Sequence, residues 1–257
     1  MSEFHETDAV GGQPSYSAPA VDKAFEIIDL VAGEVSGLTV TDIAVRLGRS
    51  TSQVYRIVVS LHRLGVLRRD EITDRYSLSL KLYEIATRHP PLQRLIHQAT
   101  PILQHLAAET DQSCHLATIA GTSLVILAQA DSPMPMHYTV KLGSRFPAME
   151  TSSGVAIAAF ASPSRQNALL EEFARAEREA FEERFGAIRR DGFEQRESDV
   201  TAGVINLTKP VLDAAGEPLG AITVPFLPQK RMRLAAEAVL DKVIAAAEEL
   251  TTIMQNS

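Results

Sequence analysis

Six arginines, Arg46, Arg49, Arg56, Arg63, Arg68 and Arg69, fall in a stretch that contains no acidic residue, inside a chain whose formal net charge is -7. A guanidinium forks onto phosphate oxygens or onto the O6 and N7 edge of guanine, so this cluster points to nucleic-acid chemistry confined to one module. The charge distribution agrees. Residues 1–19 carry three acids and no base, residues 20–90 ten bases and nine acids, and residues 91–257 fifteen bases and twenty acids. A near-neutral segment bearing a basic patch, joined to an acidic remainder, separates contact with a polyanion from a second task.

Catalytic chemistry finds less support. Cys114 and His115 are adjacent, but neighbours on a strand face opposite ways, so they cannot form a nucleophile and base pair by themselves. Cys114 reads as a buried structural residue. The run Thr151 to Gly154, "TSSG", lacks the G-x-S-x-G elbow of a hydrolase, and its serines suit a helix start. No G-x-x-x-x-G-K-[ST] loop is present, and the seven histidines lack the close pairs of a zinc site. The expectation is a protein that is not an enzyme and has no metal and no cofactor. His115 and His137 would matter only if folding brought them together. A single cysteine excludes an internal disulfide framework, and no apolar run approaches the roughly 20 residues of a membrane span. With an acidic, polar start unlike a signal peptide, the chain is expected to be cytoplasmic with no membrane partner, and residues 1–18 to form a disordered tail.

The elements that must position the arginines are legible from periodicity. Val21, Ala24, Phe25, Ile28 and Val31 follow helical spacing over 21–32. Thr39 to Asp42, "TVTD", reads as a capping box ahead of an apolar stripe at Val40, Ile43, Ala44 and Leu47, with Gly48 as the left-handed stop. Ser50 to Gln53, "STSQ", reads as a second capping box, followed by Val54, Ile57, Val58 and Leu61 at i, i+3, i+4, i+7. Two short helices joined by so short a break make a helix-turn-helix unit. At about 100° per residue, the strip opposite the second stripe holds Ser52, Arg56, Val59 and Arg63, flanked by Gln53, Ser60 and Tyr55. After Gly65, "VLRR" and "RYSL" around "DEITD" form a two-stranded wing over Val66 to Leu78, with Arg68, Arg69 and Arg75 near the sugar-phosphate backbone. Arg49, Ser50 and Thr51 complete the candidate interface at the start of the second helix.

These segments resemble the amino-terminal winged helix-turn-helix of IclR-type bacterial transcriptional regulators. The likeness is carried by "APAVDKAFEIIDLVA", "LTVTDIAVRLGRSTSQVYRIVVSLHRLGVLRRD" and "RYSLSLKLYEIA", and continues through "GSRFPAMETSSGVAIAAF" and "RRDGFEQRESDVTAGVINLTKPVLDAAGEPLGAITV". It covers nearly the whole chain after residue 18. It implies an α+β protein: a DNA-binding domain at 19–78, a linker helix at 79–91, and a GAF/profilin-like effector-binding and oligomerisation domain at 92–257 with an antiparallel sheet. It further implies a homodimer or dimer of dimers on an inverted-repeat, double-stranded operator, more often repressing than activating, and a small-molecule effector.

The periodicity of the second half fits that layout. Helices are expected at 92–109, from Thr151 or Ser152, at 164–187 and at 229–254, and strands at 114–120, 123–130, 136–141, 192–198, 203–213 and 218–226. By the resemblance, the effector sits at the helix-turn positions Ser153, Gly154 and Val155, against an apolar wall of Leu142, Phe146 and Met149. Backbone N–H groups at a helix start attract carboxylates, which suits a small organic acid. The late strands depart from the common family pattern. "GVIN" puts Asn206 where many relatives have cysteine, "TVP" puts Thr223 and Pro225 where S-V-S is usual, and Arg196 stands at a frequently acidic position. These changes argue against carrying over a glyoxylate- or pyruvate-like ligand, and a sugar acid or aromatic acid fits instead. Ser50, Thr51 and Gln53 also depart from the family's recognition helix, so the operator sequence is not carried over. Two alternatives stay open: a small-molecule-binding domain with hydrolase-like activity, and a helical adaptor that binds protein.

Overall fold

The computed structural model describes residues 18–230 and 233–256, and it divides into two compact units, one ending at His89 and the other beginning at Pro90. All but the last residue of the expected tail at 1–18 lies outside the described residues.

In the first unit the elements are α1 (Pro19–Ala32), α2 (Val40–Arg46), α3 (Thr51–Arg63), β1 (Leu67–Arg69), β2 (Tyr76–Leu78) and α4 (Lys81–Ala86). The capping box at Thr39 is formed, with the Asp42 amide donating to Thr39 Oγ1 and the Thr39 amide to Asp42 Oδ2, each at 3.1 Å. Those bonds hold the Asp42 carboxyl below its usual range. The helix ends at a residue with positive φ: Gly48 (φ 61) turns the chain so that the Arg49 amide reaches back to Ala44 O at 2.9 Å, which frees the chain to start α3 almost at once. The expected second capping box is absent. Ser50 Oγ approaches Ser52 Oγ (3.4 Å) instead, and the Gln53 amide is taken by the Ser50 backbone oxygen (3.1 Å). Ile27, Ile43, Val54, Val58 and Leu67 are buried in a single core, so each helix turns its apolar stripe inward. β1 and β2 pair antiparallel with Leu67 opposite Leu78, and Leu38 bridges Tyr76 at the edge. Where a linker helix was expected over 79–91, α4 is only six residues long.

The second unit holds α5 (Pro90–Thr110), β3 (Cys114–Ala120), β4 (Ser123–Ala130), β5 (Arg145–Pro147), a 3-10 turn (Ala148–Glu150), α6 (Ser152–Phe160), α7 (Pro163–Leu169), α8 (Arg175–Asp191), β6 (Glu194–Glu197), β7 (Ile205–Leu212), β8 (Pro218–Phe226) and α9 (Ala236–Gln255). Its six strands run β5-β4-β3-β8-β7-β6, every pairing antiparallel. One face packs on α5 and α9 and the other on α6, α7 and α8, giving the α+β class with two cores. Leu127 is an extra residue in β4 that has no partner on β3, so the strand changes faces there: Leu124 and Ile126 bury on the α6 side, Ala128 and Ala130 on the α5 side.

Three expectations are corrected here. Residues 136–141 are not a strand; prolines at 133 and 135 precede them, and the chain joins β4 only from Gly143 on, through backbone bonds of Gly143 and Ser144 to Ile126 and then as β5. The helix expected at 164–187 is two helices, because Leu170 and Phe173 turn into the core between them while the Arg178 side chain takes up the Phe173 carbonyl (2.8 Å). The closing helix begins at Ala236 and not near 229, as Arg233 is held on Asp111 (2.8 Å) and Ala108 O (3.1 Å) just before it.

Candidate nucleic-acid interface and ligand cavity

On α3 the stripe Val54, Val58 and Leu61 is buried, which leaves Ser52, Gln53, Tyr55, Arg56, Ser60 and Arg63 exposed on the remaining surface with Val59 among them. Arg56 and Arg63 have no acidic partner among the described residues. Arg56 also lies where α3 meets the wing, sharing a surface groove with Thr51, Ser52, Tyr55 and Arg69.

The other arginines are less free than the acid-poor stretch implies. Acids from outside that stretch reach them: Arg46 pairs with Glu34, Arg49 with Glu26 at 2.6 Å, and Arg69 with Asp74. Asp74 raises the Arg69 pKa further through its hydrogen bond and charge. Arg68 donates to Ser77 Oγ (2.8 Å), and Arg75 donates to Gly37 O (2.9 Å) beside Asp42 (3.7 Å). The reading of the cluster as lacking counter-charge is therefore corrected. Arg46 and Arg49 tie α2 and the turn to α1, and the unencumbered cations are those on the α3 strip.

In the second unit a cavity with about 590 Å³ of open space, part of it solvent, lies between the sheet and the start of α6. Phe146, Ser153, Asn206, Thr223 and Pro225, expected from the sequence, all line it. Leu142, Met149, Gly154, Val155 and Arg196 do not. Leu142 is exposed on a loop, Met149 and Val155 are core residues, and Arg196 reaches out to Asp199 at 3.6 Å. Gly154 has another role: a Cβ there would stand 1.9 Å from Ala148 O, so glycine is what allows α6 to begin against the 3-10 turn. Thr151 caps that start, accepting from the Gly154 amide at 3.0 Å.

The cavity floor is a line of small polar groups. His115, Thr223 and Thr208 are cross-strand neighbours on β3, β8 and β7. Thr208 Oγ1 meets Thr223 Oγ1 at 3.0 Å, Thr223 Oγ1 meets Ser153 Oγ at 2.8 Å, and Ser153 Oγ meets His115 Nε2 at 3.4 Å. Burial lowers the His115 pKa to about 4, so the ring is neutral at pH 7. Asn206 Nδ2 donates to Ser152 Oγ (3.3 Å). The mouth is formed by exposed Glu150 and Asp199 with Tyr138 and Ser198 between. No lysine or arginine lines the cavity. His115, Tyr138, Glu150 and the 198–200 loop were missed in the sequence because nothing local marks them. The alternation that set Cys114 and His115 on opposite faces was the available signal for the histidine.

Cys114 faces away, 2% exposed, with its thiol on Leu103 O (3.2 Å) and its pKa raised by burial to about 12. His137 is exposed and bonded to Met134 O, and makes no hydrogen bond or ring contact with His115. Among the described residues, the approach of Ser153 to His115 is the one juxtaposition suited to nucleophilic catalysis. Against it, the serine is already engaged by Thr223, no carboxylate orients His115 among the described residues, and an imidazole with a pKa of about 4 is a poor base at neutral pH. Among the described residues no group of three or more potential metal ligands converges, and no helix is long and apolar enough to cross a membrane.

Comparison with known proteins follows the same division. Residues 20–71 match the IclR helix-turn-helix domain, and residues 92–252 match the bacterial transcriptional regulator IclR C-terminal domain. The HTH-type transcriptional regulator BhcR of Paracoccus denitrificans is 30% identical over 253 residues, covering 94% of this chain and 89% of that protein. KdgR of Escherichia coli is 28% identical over 155 residues, 60% of this chain and 59% of its own. Among solved structures, an IclR homolog complexed with 4-hydroxybenzoate from Microbacterium hydrocarbonoxydans superposes with a TM-score of 0.76 at 19% identity, covering 93% of this chain and 100% of that one. Pseudomonas aeruginosa HmgR gives 0.71 at 22% identity over 92% and 99%. With both domains matched in order and a full-length relative at this identity, the chain belongs to the IclR family of DNA-binding transcriptional regulators.

Proposed function

We propose that this chain is a ligand-responsive regulator, cytoplasmic, homodimeric or a dimer of dimers, in which residues 19–78 hold double-stranded DNA, 79–91 connect, and 92–257 bind the effector and the other copies. The observation that carries the reading is the exposed α3 strip, where Arg56 and Arg63 are unpaired while the neighbouring arginines are held by protein acids. On this reading Ser52, Gln53 and Arg56 meet base edges, and Arg49, Ser50, Thr51, Tyr55, Ser60, Arg63, Arg68, Arg69 and Arg75 meet phosphates along the groove and wing. Two copies then require inverted half-sites about one helical turn, 34 Å, or a multiple of it apart. The resemblance to the family favours repression over activation.

The effector on this reading is a small organic acid, with sugar acids and aromatic acids the fitting classes. The backbone N–H groups of Ser152 and Ser153 open α6 at the cavity with no acceptor among the described residues, the arrangement that draws a carboxylate. A structural relative complexed with 4-hydroxybenzoate, an aromatic acid, supports the class. The test is selection from a random pool of duplexes followed by binding at several salt concentrations. An enriched inverted repeat whose affinity falls with salt is expected. A pool without enrichment, or retention indifferent to salt, removes the reading.

A further inference from the structure

The cavity is polar at both ends, and the two ends differ. At the floor, Thr208 is fully buried and, among the described residues, its hydroxyl bonds to no polar atom but Thr223 Oγ1. If the line of hydroxyls ran outward from His115, with Nε2–H donating to Ser153, the last proton, on Thr208, would be left buried without an acceptor. Run the other way, every proton is used: Thr208 donates to Thr223, Thr223 to Ser153, and Ser153 to His115 Nε2. That order fixes the neutral ring as the Nδ1–H tautomer. His115 is 6% exposed, lines the cavity, and its Nδ1 has no partner among the described residues, so the floor offers a donor. At the mouth stand two carboxylates, Glu150 and Asp199. Glu150 has no ion-pair partner among the described residues, whereas Asp199 is paired with Arg196 at 3.6 Å from outside the cavity lining.

Resting on the ligand reading above, we infer that the cavity sorts effectors by polarity along their length: an acid or carbonyl at the His115 floor, a hydroxyl or ammonium at the Glu150 and Asp199 mouth, and rejection of a second acid there. A diacid of the same length would place its far carboxylate against Glu150, and beside an Asp199 whose charge Arg196 offsets in part, a repulsive device that gives selectivity without added contacts. Glu150 and Asp199 are thus specificity-determining residues, and the floor donor is set by Thr208 at the far end of the hydroxyl line.

The experiment uses the full chain and four matched six-carbon probes: hexanoate, 6-hydroxyhexanoate, 6-aminohexanoate and adipate, titrated calorimetrically. Expected is binding of the hydroxy and amino acids about tenfold tighter than adipate, since exposed charge pairs contribute modestly. In a Glu150→Gln, Asp199→Asn variant the gap should close to within about twofold. Equal affinities of adipate and 6-aminohexanoate for the native chain overturn the sorting while leaving the cavity as the ligand site. Failure of all four to bind at millimolar concentration overturns both. The donor end is read separately from 15N-histidine spectra of the native chain, where the His115 Nδ1–H tautomer is expected and the Nε2–H tautomer refutes it.

Discussion

Acidification should destabilise this protein by an amount that His115 sets. Unfolded, its imidazole titrates near 6.5; folded, burial holds it at about 4. As pH falls through 6.5 the unfolded chain takes up a proton that the native ring refuses, so the unfolded state binds more protons and stability drops with decreasing pH until the native pKa is reached. The shift amounts to about 3 kcal/mol in full, at about 1.4 kcal/mol per pH unit. Between pH 7.5 and 5.5 the portion realised is about 1 kcal/mol, and by pH 4.5 most of the full amount. Urea unfolding of the native chain and of a His115→Gln variant at each pH isolates the contribution, because other titrating groups act in both. Glutamine can still accept from Ser153, so the variant should fold and lose less stability on acidification by those amounts. Parallel losses in the two proteins would refute the placement of His115 as a neutral, buried ring.

Four further outcomes follow from the structure. Arg56→Ala should weaken operator binding by about 1–3 kcal/mol without moving the unfolding transition of the second unit, read by fluorescence anisotropy and calorimetry. Arg49→Ala removes a cation held by Glu26 at 2.6 Å, and should lower the melting temperature of the first unit and weaken operator binding less than Arg56→Ala does; the reverse order would mean that Glu26 releases Arg49 on DNA. Gly154→Ala should cost about 3 kcal/mol or more, as its methyl would meet Ala148 O at 1.9 Å, measured by chemical denaturation. Cys114, with its thiol pKa raised to about 12, should resist iodoacetamide at pH 8 in the native chain and react once unfolded.

The first unit was the more legible half because its signals are local. Helical periodicity and glycine stops name α1 to α3 directly, and Thr39 with Asp42 fixes one cap. The failure at Ser50 is instructive: "STSQ" has the capping pattern, yet the backbone of Ser50 itself takes the amide that the side chain would have taken. The arginine pairings were invisible because Glu26 and Glu34 lie on or just after α1, and only packing brings them to α2 and the turn. In the cavity, the positions on regular strands, Asn206, Thr223 and Pro225, were recoverable, since register preserves them. Leu142 and Arg196 were not, as a loop and a strand edge decide where such side chains go. Glu150 ends the 3-10 turn and Asp199 lies in the loop after β6, and the two meet only in three dimensions.

The seating of α6 separates two jobs that proteins often combine. Gly154 against Ala148 fixes where the helix begins, and wholly buried residues from Val155 to Ala159 hold it there, while the side chains that line the cavity around it come from the end of the 3-10 turn (Glu150), the loop after β6 (Asp199) and strands β7 and β8 (Asn206, Pro225). Exchanges at Glu150, Asp199, Asn206 or Pro225 can therefore retune what is sensed without unseating the scaffold. That makes this domain a tractable starting point for laboratory evolution of biosensors, with diversity confined to those four positions and the glycine left untouched.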